Sequence, residues 1–404
     1  MNKFLLSLLA FLMVTCYNDN NKESVIKEIE FVPEMLGLTP GSTIAEVNFT
    51  WYSDSGENSF VRVTNKGTLV STKRGISEAA SEGKYYHKAT AKNLKPNTEY
   101  TYRVSNDSIN WSVEYKYKTP QTETFKFAAV GDPQLTLYSQ DPSSNWFSSD
   151  SSVALGWKTT VEKITEANAN FILSTGDQVD VGSDEKQYEK LFAPPALRSI
   201  PIAPSVGNHD RNQIFQYHFN LPNEQNFSAE NYGNYFYLYN NILFVALNSS
   251  AWVTNVEEAM PYVENFDATL AAAKIKYNGK YKWLIVQHHK STRSVAWHSR
   301  EMDIQYYIDA GFEAIMEKHN VDFVLAGHDH VYARIKLGNI YYMTLSTASG
   351  IKYYGAEEPL PINTYAQQNR IPEYSIFEVN SNGISVSVYE VDKDTPFDKF
   401  EVVK

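Results

Sequence analysis

The sequence has very little cysteine and no excess of positive charge. It contains one Cys in 404 residues, so the chain can form no internal disulfide and offers a metal no set of thiolates. Its formal net charge is -11, which argues against a protein that grips nucleic acid through the phosphate backbone, because such a protein needs a basic face. Its hydrophobic content of 43% is ordinary for a globular protein, and its length allows two or three domains. We therefore expect a multidomain globular protein without a nucleic-acid-binding surface.

The first residues have the pattern of a targeting segment. Lys3 supplies a positive charge, and the apolar run 4–14 is too short to span a bilayer, which needs about 20 residues. Cys16 follows at once, and the arrangement resembles a bacterial lipoprotein signal, although its fit is imperfect and plain secretion stays open. We expect residues 1–24 to be a signal and linker, with Cys16 as the lipidation site and the only membrane contact. The protein is then secreted or lipid-anchored, in the periplasm or at the surface of a bacterium.

Residues 25–121 have the pattern of a β domain. Apolar and polar residues alternate in segments 44–51 and 60–63, with turn residues between the two segments. Segment 94–104 resembles the signature of a fibronectin type III sandwich, in which the tyrosine that matches Tyr100 closes a turn with its hydroxyl. The resemblance predicts an N-terminal β-sandwich.

Residues 122–404 alternate strand and helix patterns, including one helix predicted over 304–319, and so predict a mixed α and β domain. Five strands of this region each run into polar groups that can bind or orient a cation. They are 125–130 before Asp132 and Gln134, 171–175 before Asp177 and Asp180, 200–206 before Asn208, His209 and Asp210, 281–286 before His288 and His289, and 321–326 before His328 and His330. Open α/β sheets bind their ligands at the carboxyl ends of the strands.

These strand ends together predict a metal site. Carboxylates, amide oxygens and imidazoles suit hard to borderline divalent or trivalent ions. A single such strand end is better explained by a capped turn or a surface histidine. Five in succession favour a metal, and the two alternate imidazoles of Gly327-His328-Asp329-His330 are the most telling element.

The ordered motifs resemble those of the calcineurin-like metallophosphoesterases. With the preceding β domain they are most similar to the purple acid phosphatase branch, over about residues 30–404. The motifs are Gly131-Asp132, Gly176-Asp177, Gly207-Asn208-His209, Ile285 followed by His288, and Gly327-His328 followed by His330. The resemblance implies a four-layer α/β/β/α domain that holds two metal ions.

The resemblance also implies a role for each matching residue. Asp177 is expected to bridge the two ions. The first ion is expected to bind Asp132 and His330, and the second to bind Asn208, His288 and His328. His289 matches no ligand position, so it is expected to lie behind the ligands.

Two departures from the family pattern put the first ion in question. Asp180 stands where purple acid phosphatases have the tyrosine that gives them their colour, so the protein should not be purple. Gln134 stands where many other members have a histidine, and it can offer a carbonyl oxygen to the metal or only hydrogen-bond a bound water. Asp180 can act through a water or serve as a turn or helix-capping residue. The ligand number and the metal, whether iron, zinc or manganese, stay open.

The implied chemistry is attack on phosphorus by a hydroxide that bridges two metal ions about 3.5–4 Å apart. His209 is expected to donate a proton or hydrogen bond on the far side, with Asp210 fixing its orientation. His298 matches a region where the acid phosphatases place a histidine that faces substrate, although a surface histidine is an equal alternative. Nearby cations that favour a phosphate-accepting rim are Arg211, Lys290 and Arg293.

The sequence therefore predicts a dinuclear metallophosphoesterase that hydrolyses small phosphate monoesters. A phosphodiesterase or nucleotide pyrophosphatase with the same site is the alternative among enzymes. A non-catalytic surface module that binds glycan or protein through the sandwich is the alternative of another class.

Overall fold

The computed structural model describes residues 30–136, 150–228 and 231–404. The predicted signal segment, including Cys16, lies outside these residues. In the described part of the chain, each helix is too short or too polar to cross a bilayer.

An all-β domain comes first. Its strands are β1 (Glu34–Pro40), β2 (Val47–Ser53), β3 (Phe60–Asn65), β4 (Thr68–Arg74), β5 (Ile76–Ala79), β6 (Tyr85–Ala91), β7 (Glu99–Ser105) and β8 (Tyr115–Lys118). They form two four-stranded sheets in the orders β1-β2-β6-β5 and β4-β3-β7-β8. Side chains of both sheets, among them Phe49, Val61 and Tyr102, share one core. The predicted β-sandwich is confirmed.

The predicted tyrosine turn is present in this sandwich. The backbone N–H of Lys95 donates a hydrogen bond of 2.7 Å to the hydroxyl oxygen of Tyr100, whose side chain is buried. The bond fixes the chain where it enters β7.

Strands and helices alternate in the second domain. Its strands are β9 (Phe125–Val130), β10 (Ile172–Ser174), β11 (Ile202–Pro204), β12 (Tyr235–Tyr239), β13 (Ile242–Ala246), β14 (Trp283–Lys290), β15 (Phe323–Gly327), β16 (Tyr332–Leu337), β17 (Ile340–Thr344), β18 (Thr364–Gln367), β19 (Glu373–Val379), β20 (Gly383–Glu390) and β21 (Asp398–Val403). Its helices are α1 (Asp150–Glu166), α2 (Glu185–Leu191), α3 (Gln213–His218), α4 (Val256–Lys276), α5 (Met302–Asp309) and α6 (Phe312–His319), with 3-10 turns at Pro195–Arg198 and Trp297–Arg300.

Two sheets pack face to face at the centre of this domain. The first has the order β11-β10-β9-β19-β20-β21, and the second has the order β12-β13-β14-β15-β17-β16-β18. Aromatic side chains fill the space between them, for example Phe127, whose ring centroid lies 5.3 Å from that of Phe171 and 5.2 Å from that of Phe244.

Helices cover both outer faces of the paired sheets. Trp157 of α1 and Tyr188 of α2 belong to the core on the first sheet, and Phe266 of α4 and Phe312 of α6 belong to the core on the second. The predicted four-layer α/β/β/α arrangement is confirmed. The single helix predicted over 304–319 is wrong, because Gly311 takes a left-handed φ of 102° and separates α5 from α6.

A buried polar cluster joins the two domains. The carboxylate of Glu185, in α2, accepts hydrogen bonds from the hydroxyl of Tyr52 at 3.1 Å and from that of Ser81. His218 Nε2 lies 2.7 Å from the same carboxylate, and its ring stacks on Tyr52 with centroids 4.7 Å apart. The sandwich is thus fixed to the side of the second domain that carries α2 and α3.

Candidate metal centre

The polar strand ends meet at one edge of the paired sheets. β9, β10 and β11 are parallel neighbours in the first sheet, and β13, β14, β15 and β17 are parallel neighbours in the second. Their carboxyl ends therefore open on the same side, as the sequence predicted. The residues that follow these strands line a cavity of about 430 Å³.

Glycines let the strand ends approach each other closely. A Cβ on Gly207 would lie 2.0 Å from Oδ1 of Asp177, and a Cβ on Gly327 would lie 2.4 Å from Oδ2 of Asp132. Both distances are shorter than any real side chain allows. The glycine before each polar residue is therefore required by the packing of one loop against the next.

Three side chains form the centre of the site. One ligand atom from each of Asp177, His289 and His328 falls within 4.8 Å of the others. His289 Nε2 lies 3.2 Å from Asp177 Oδ2, 3.3 Å from His328 Nδ1 and 2.9 Å from Asn208 Oδ1. An amide oxygen, a carboxylate and two imidazoles thus point at one small volume.

Asp132 and His330 stand beside this group. Asp132 is buried, and its Oδ1 lies 3.4 Å from His330 Nε2 and 3.9 Å from His289 Nδ1. The Asp132 carboxylate also accepts the backbone N–H of His328 at 3.0 Å and 3.1 Å. The structure therefore brings these two predicted ligands of the first ion against the predicted ligands of the second.

Backbone strain is concentrated at this edge. Five predicted ligands have left-handed φ values: Asp132 (39°), Gln134 (38°), Asp177 (48°), His328 (71°) and His330 (44°). Such conformations cost non-glycine residues about 1–3 kcal/mol each, and they cluster at functional sites. The fold holds these side chains in place at a cost to stability.

His289 takes the place in the cluster that the sequence assigned to His288, so the prediction of His288 as a ligand is wrong. Successive side chains of β14 point to opposite faces of the sheet. The His288 ring packs beside Phe312 of α6 with centroids 4.8 Å apart, and its Nδ1 lies 3.2 Å from Ser249 Oγ. His289 instead faces the first sheet, where its Nδ1 lies 3.0 Å from the carbonyl oxygen of Thr175.

The two adjacent histidines differ sharply in their electrostatics. Burial and the neighbouring His289 lower the pKa of His288 to about 3. Burial also opposes the charged form of His289, but the carboxylates of Asp177 and Asp132 outweigh it and raise its pKa to about 9. Because the Thr175 carbonyl oxygen can only accept, Nδ1 of His289 keeps its proton, and Nε2, which faces Asp177 and Asn208, is the nitrogen that would give up its proton to a metal.

Gln134 has the geometry of a ligand held by Asp180. Its Nε2 donates a hydrogen bond of 2.9 Å to Asp180 Oδ1. Its Oε1 is buried without a hydrogen-bond partner among the described residues. Leaving a buried carbonyl oxygen without a partner costs folding free energy. A cation would be a suitable partner here, because the neighbouring side chains are metal-ligand types. Asp180 thus orients Gln134.

Asp180 also orients His209, and the prediction that Asp210 does so is wrong. His209 Nδ1 lies 2.6 Å from the backbone carbonyl oxygen of Asp180 and 3.5 Å from its carboxylate. Asp210 is fully buried and accepts backbone N–H groups of Gly207 and Gln178 at 2.9 Å. Burial, and then the charge of Asp177, raise the pKa of Asp210 to about 7. Asp210 therefore ties two loops together behind the site.

The predicted substrate-binding cations fall in three different positions. Arg211 is exposed and lines the cavity. Lys290 also lines the cavity, but it is buried and its ammonium is paired with Asp303 of α5. Arg293 is turned toward α6, where it pairs with Glu313, so its prediction as a substrate contact is wrong. The ion pair with Glu313 of α6 keeps the guanidinium of Arg293 away from the cavity.

His298 lines the cavity, and Glu301 stands next to it. His298 Nδ1 lies 3.0 Å from Oδ1 of the buried Asp329. Glu301 Oε2 lies 3.4 Å from His328 Nε2, and the group His298, Glu301 and His328 forms a second cluster of ligand-type atoms. Sequence reasoning missed Glu301. Its spacing of three residues from His298 was the one available signal, and it becomes meaningful only once the 3-10 turn is known.

Comparison with known proteins places the chain in a family. The profile of the calcineurin-like phosphoesterases matches residues 125–332, and that of the purple acid phosphatase N-terminal domain matches residues 33–119. The chain belongs to the calcineurin-like phosphoesterase family of hydrolases, and its domain organisation is that of the purple acid phosphatase type.

The relatives are distant. "Probable inactive purple acid phosphatase 27" of Arabidopsis thaliana is 25% identical over 335 residues, which are 73% of this chain and 52% of the relative. "Probable inactive purple acid phosphatase 1" of the same plant is 26% identical over 187 residues, which are 42% of this chain and 29% of the relative. The chain thus spans about half the length, or less, of the curated relatives it matches.

A solved structure shows the same fold. The purple acid phosphatase PPD1 of yellow lupin (Lupinus luteus) seeds superposes with a TM-score of 0.71 at 16% identity. The superposition covers 92% of this chain and 74% of the lupin chain. The arrangement of a sandwich followed by a four-layer domain is therefore shared with a purple acid phosphatase.

Proposed function

We propose that the protein is a dinuclear metal-dependent phosphoesterase that hydrolyses phosphate monoesters. The observation that carries the proposal is the convergence of Asp177, His289 and His328, with ligand atoms within 4.8 Å of one another, directly beside Asp132 and His330. Donors from three loops and from strand β14 meet there, and hydrophobic packing alone gives no reason for buried carboxylates and imidazoles to do so.

The donor set fits two metal ions. Asp132, Gln134 and His330 would hold one ion, Asn208, His289 and His328 would hold the other, and Asp177 would lie between them. The side-chain oxygen of Gln134, which has no hydrogen-bond partner in the part of the chain that the structure describes, supports this division. Oxygen and imidazole ligands without thiolate suit iron, zinc or manganese. Bound ions would supply Lewis-acid stabilisation of the phosphoryl oxygens and an activated solvent nucleophile.

The chain's own residues complete the site. The carbonyl oxygen of Asp180 can only accept a hydrogen bond, so Nδ1 of His209 carries a proton and Nε2 is left to serve the cavity. His209 can therefore exchange a proton with a phosphoryl oxygen or with the leaving group. Arg211, at the rim of the cavity, supplies positive charge for an anionic ester in a chain of net charge -11.

Substitution of ligands tests the proposal. Asp177→Ala and His328→Ala should each abolish turnover of a chromogenic phosphomonoester and lower the metal content measured by elemental analysis. Arg300→Ala is a matched control, because Arg300 is exposed and pairs with Glu357. Full activity and full metal content in both ligand variants would refute the proposal. Wild-type protein with an intact fold but no bound metal and no turnover would instead support the non-catalytic binding module.

The ester class is decided by a parallel measurement. We expect kcat/KM of the wild-type protein to be higher for a phosphomonoester than for the matched phosphodiester of the same alcohol. The reverse order would favour the phosphodiesterase alternative without affecting the metal assignment.

A further inference from the structure

Two tryptophans are exposed near the mouth of the cavity. Trp252, in the loop that follows β13, is 66% exposed and lines the cavity. Trp297, in the 3-10 turn after β14, is 50% exposed. Large aromatic side chains normally lie in cores or at binding surfaces, because leaving them in water forgoes the free energy of their burial.

The strand order places Trp252 and another aromatic residue, Tyr354, on opposite sides of the metal centre. Within the second sheet β13 lies on one side of β14, and β15 and β17 lie on the other. Trp252 therefore rises from the β13 side of His289. Tyr354, from the loop after β17, rises from the opposite side and also lines the cavity.

The Tyr354 side of the cavity is a row of rings in contact, of which the first pair is stacked and the others are edge-on or tilted. Trp297 lies on His298 with centroids 3.8 Å apart and an angle of 29° between the planes. The rings of His298 and Tyr354 are 4.5 Å apart, and those of Tyr354 and His330 are 5.3 Å apart. Each ring limits the movement of the next.

On the other side of the cavity, the ammonium group of Lys290 lies close to the ring of Trp252. Lys290 Nζ lies 5.3 Å from the centroid of the Trp252 ring, and its pairing with the buried carboxylate of Asp303 holds it there. A cation at this distance attracts the face of an indole ring. Lys290 therefore helps to position the Trp252 ring, while much of the surface of Trp252 stays open to solvent.

We propose that the site takes phosphate esters whose alcohol part carries a planar aromatic ring, and that Trp252 selects them by stacking. The inference rests on the proposed function, since it places the phosphate at the metal centre and the ring at the rim. Stacking of a base on an aromatic side chain strengthens binding by about tenfold or more. Aryl esters and nucleotides share this chemistry, and they differ in how far the ring lies from phosphorus.

The test is a ratio of substrates in one variant. Trp252→Leu should lower kcat/KM for phenyl phosphate or adenosine 5'-monophosphate about tenfold relative to glycerol 2-phosphate, mainly through KM. The substrate whose ratio falls further identifies the aryl or the nucleoside source. Trp252→Phe should keep most of the preference, because it keeps a ring. Trp111→Leu is the matched control, since Trp111 lies in the sandwich, beneath the guanidinium of Arg62.

Binding gives a second measurement that needs no turnover. Titration of the metal-loaded protein with phenylphosphonate and with methylphosphonate should show that Trp252→Leu weakens the first about tenfold more than the second. Equal weakening of both, or weakening of neither, would overturn the inference. The inference would also be overturned if Trp252→Leu lowered kcat/KM for glucose 6-phosphate more than for the aromatic esters. That result would indicate a site that stacks on sugars. If the wild-type protein turns over no phosphate ester, the proposed function fails, and the phosphonate titration alone decides the inference.

Discussion

His289 and His288 are neighbours in sequence, yet they lie in different environments. His289 belongs to the layer between the sheets and contacts Asp177, and His288 belongs to the helix layer and contacts Phe312. The difference arises because successive side chains of a strand point to opposite faces of the sheet. One residue of β14 therefore faces the metal centre, and its neighbour faces the helix layer. Lys290 shows the same alternation, since it points as His288 does and meets Asp303 of α5.

The pair of histidines supplies a residue-scale prediction. His289→Ala should lose metal and reduce activity by more than the roughly 10–100-fold typical of residues that only orient a ligand. His288→Ala should keep its metal content and lose about 1–3 kcal/mol of unfolding free energy, because it empties a buried position. Elemental analysis and urea unfolding of both variants make the comparison. Metal loss in His288→Ala with retention in His289→Ala would restore the sequence-based assignment.

At the scale of the element, the loops after parallel strands are positioned by direct contact with one another. The Asp210 carboxylate accepts the N–H of Gln178, and the Asp177 carboxylate accepts the N–H of His209 at 2.9 Å. The loop after β10 and the loop after β11 therefore act as one unit. Gly207 lies at their closest approach, because a Cβ there would lie 2.1 Å from the backbone nitrogen of Asp177.

Gly207→Ala tests this unit. The added methyl must displace Asp177, so we expect the variant to lose about 1–3 kcal/mol of stability and at least about tenfold in activity. Gly355→Ala makes the same chemical change at a position where a Cβ would lie more than 4 Å from other atoms of residues 30–136, 150–228 and 231–404, its chain neighbours excepted. It should change stability by less than about 0.5 kcal/mol. Similar results for both variants in urea unfolding and steady-state kinetics would show that the two loops are not packed as described.

At the scale of the whole molecule, the sandwich and the second domain share the buried cluster around Glu185. Tyr52 and Ser81 come from the sandwich, and Glu185 and His218 come from α2 and α3. The hydroxyl of Tyr102 adds a bond of 2.7 Å to the carbonyl oxygen of Arg198. Buried polar groups that lose their partners are costly, so these contacts couple the stability of one domain to that of the other.

Removal of the shared carboxylate tests the coupling. Glu185→Ala leaves Tyr52 and His218 without their partner and should cost about 3 kcal/mol, which lowers the unfolding temperature by at least roughly 5 °C. Glu189→Ala is the control, because Glu189 is exposed on the same helix. It should leave the unfolding temperature within about 1–2 °C of the wild type. Differential scanning calorimetry checks both. Equal shifts in the two variants would contradict an interdomain role for Glu185.

The repeated sequence pattern of a strand, a glycine and a polar residue was sufficient to predict the edge of the sheet. Asp132, Asp177, Asn208, His328 and His330 meet at that edge. This succeeds because parallel strands necessarily end on the same side, whatever their packing. The alternating pattern and Tyr100 likewise determined the sandwich, since both signals are local.

Tertiary structure alone decided which neighbouring group serves the site. Only the phase of β14 separates His289 from His288, and only the loop carrying Asp180 shows why Asp210 does not hold His209. Glu301, Trp252 and Tyr354 reach the cavity from loops whose courses no local pattern specifies. Local periodicity determines which strands form and where they end, but the direction of a side chain beyond the strand end depends on contacts between residues far apart in sequence.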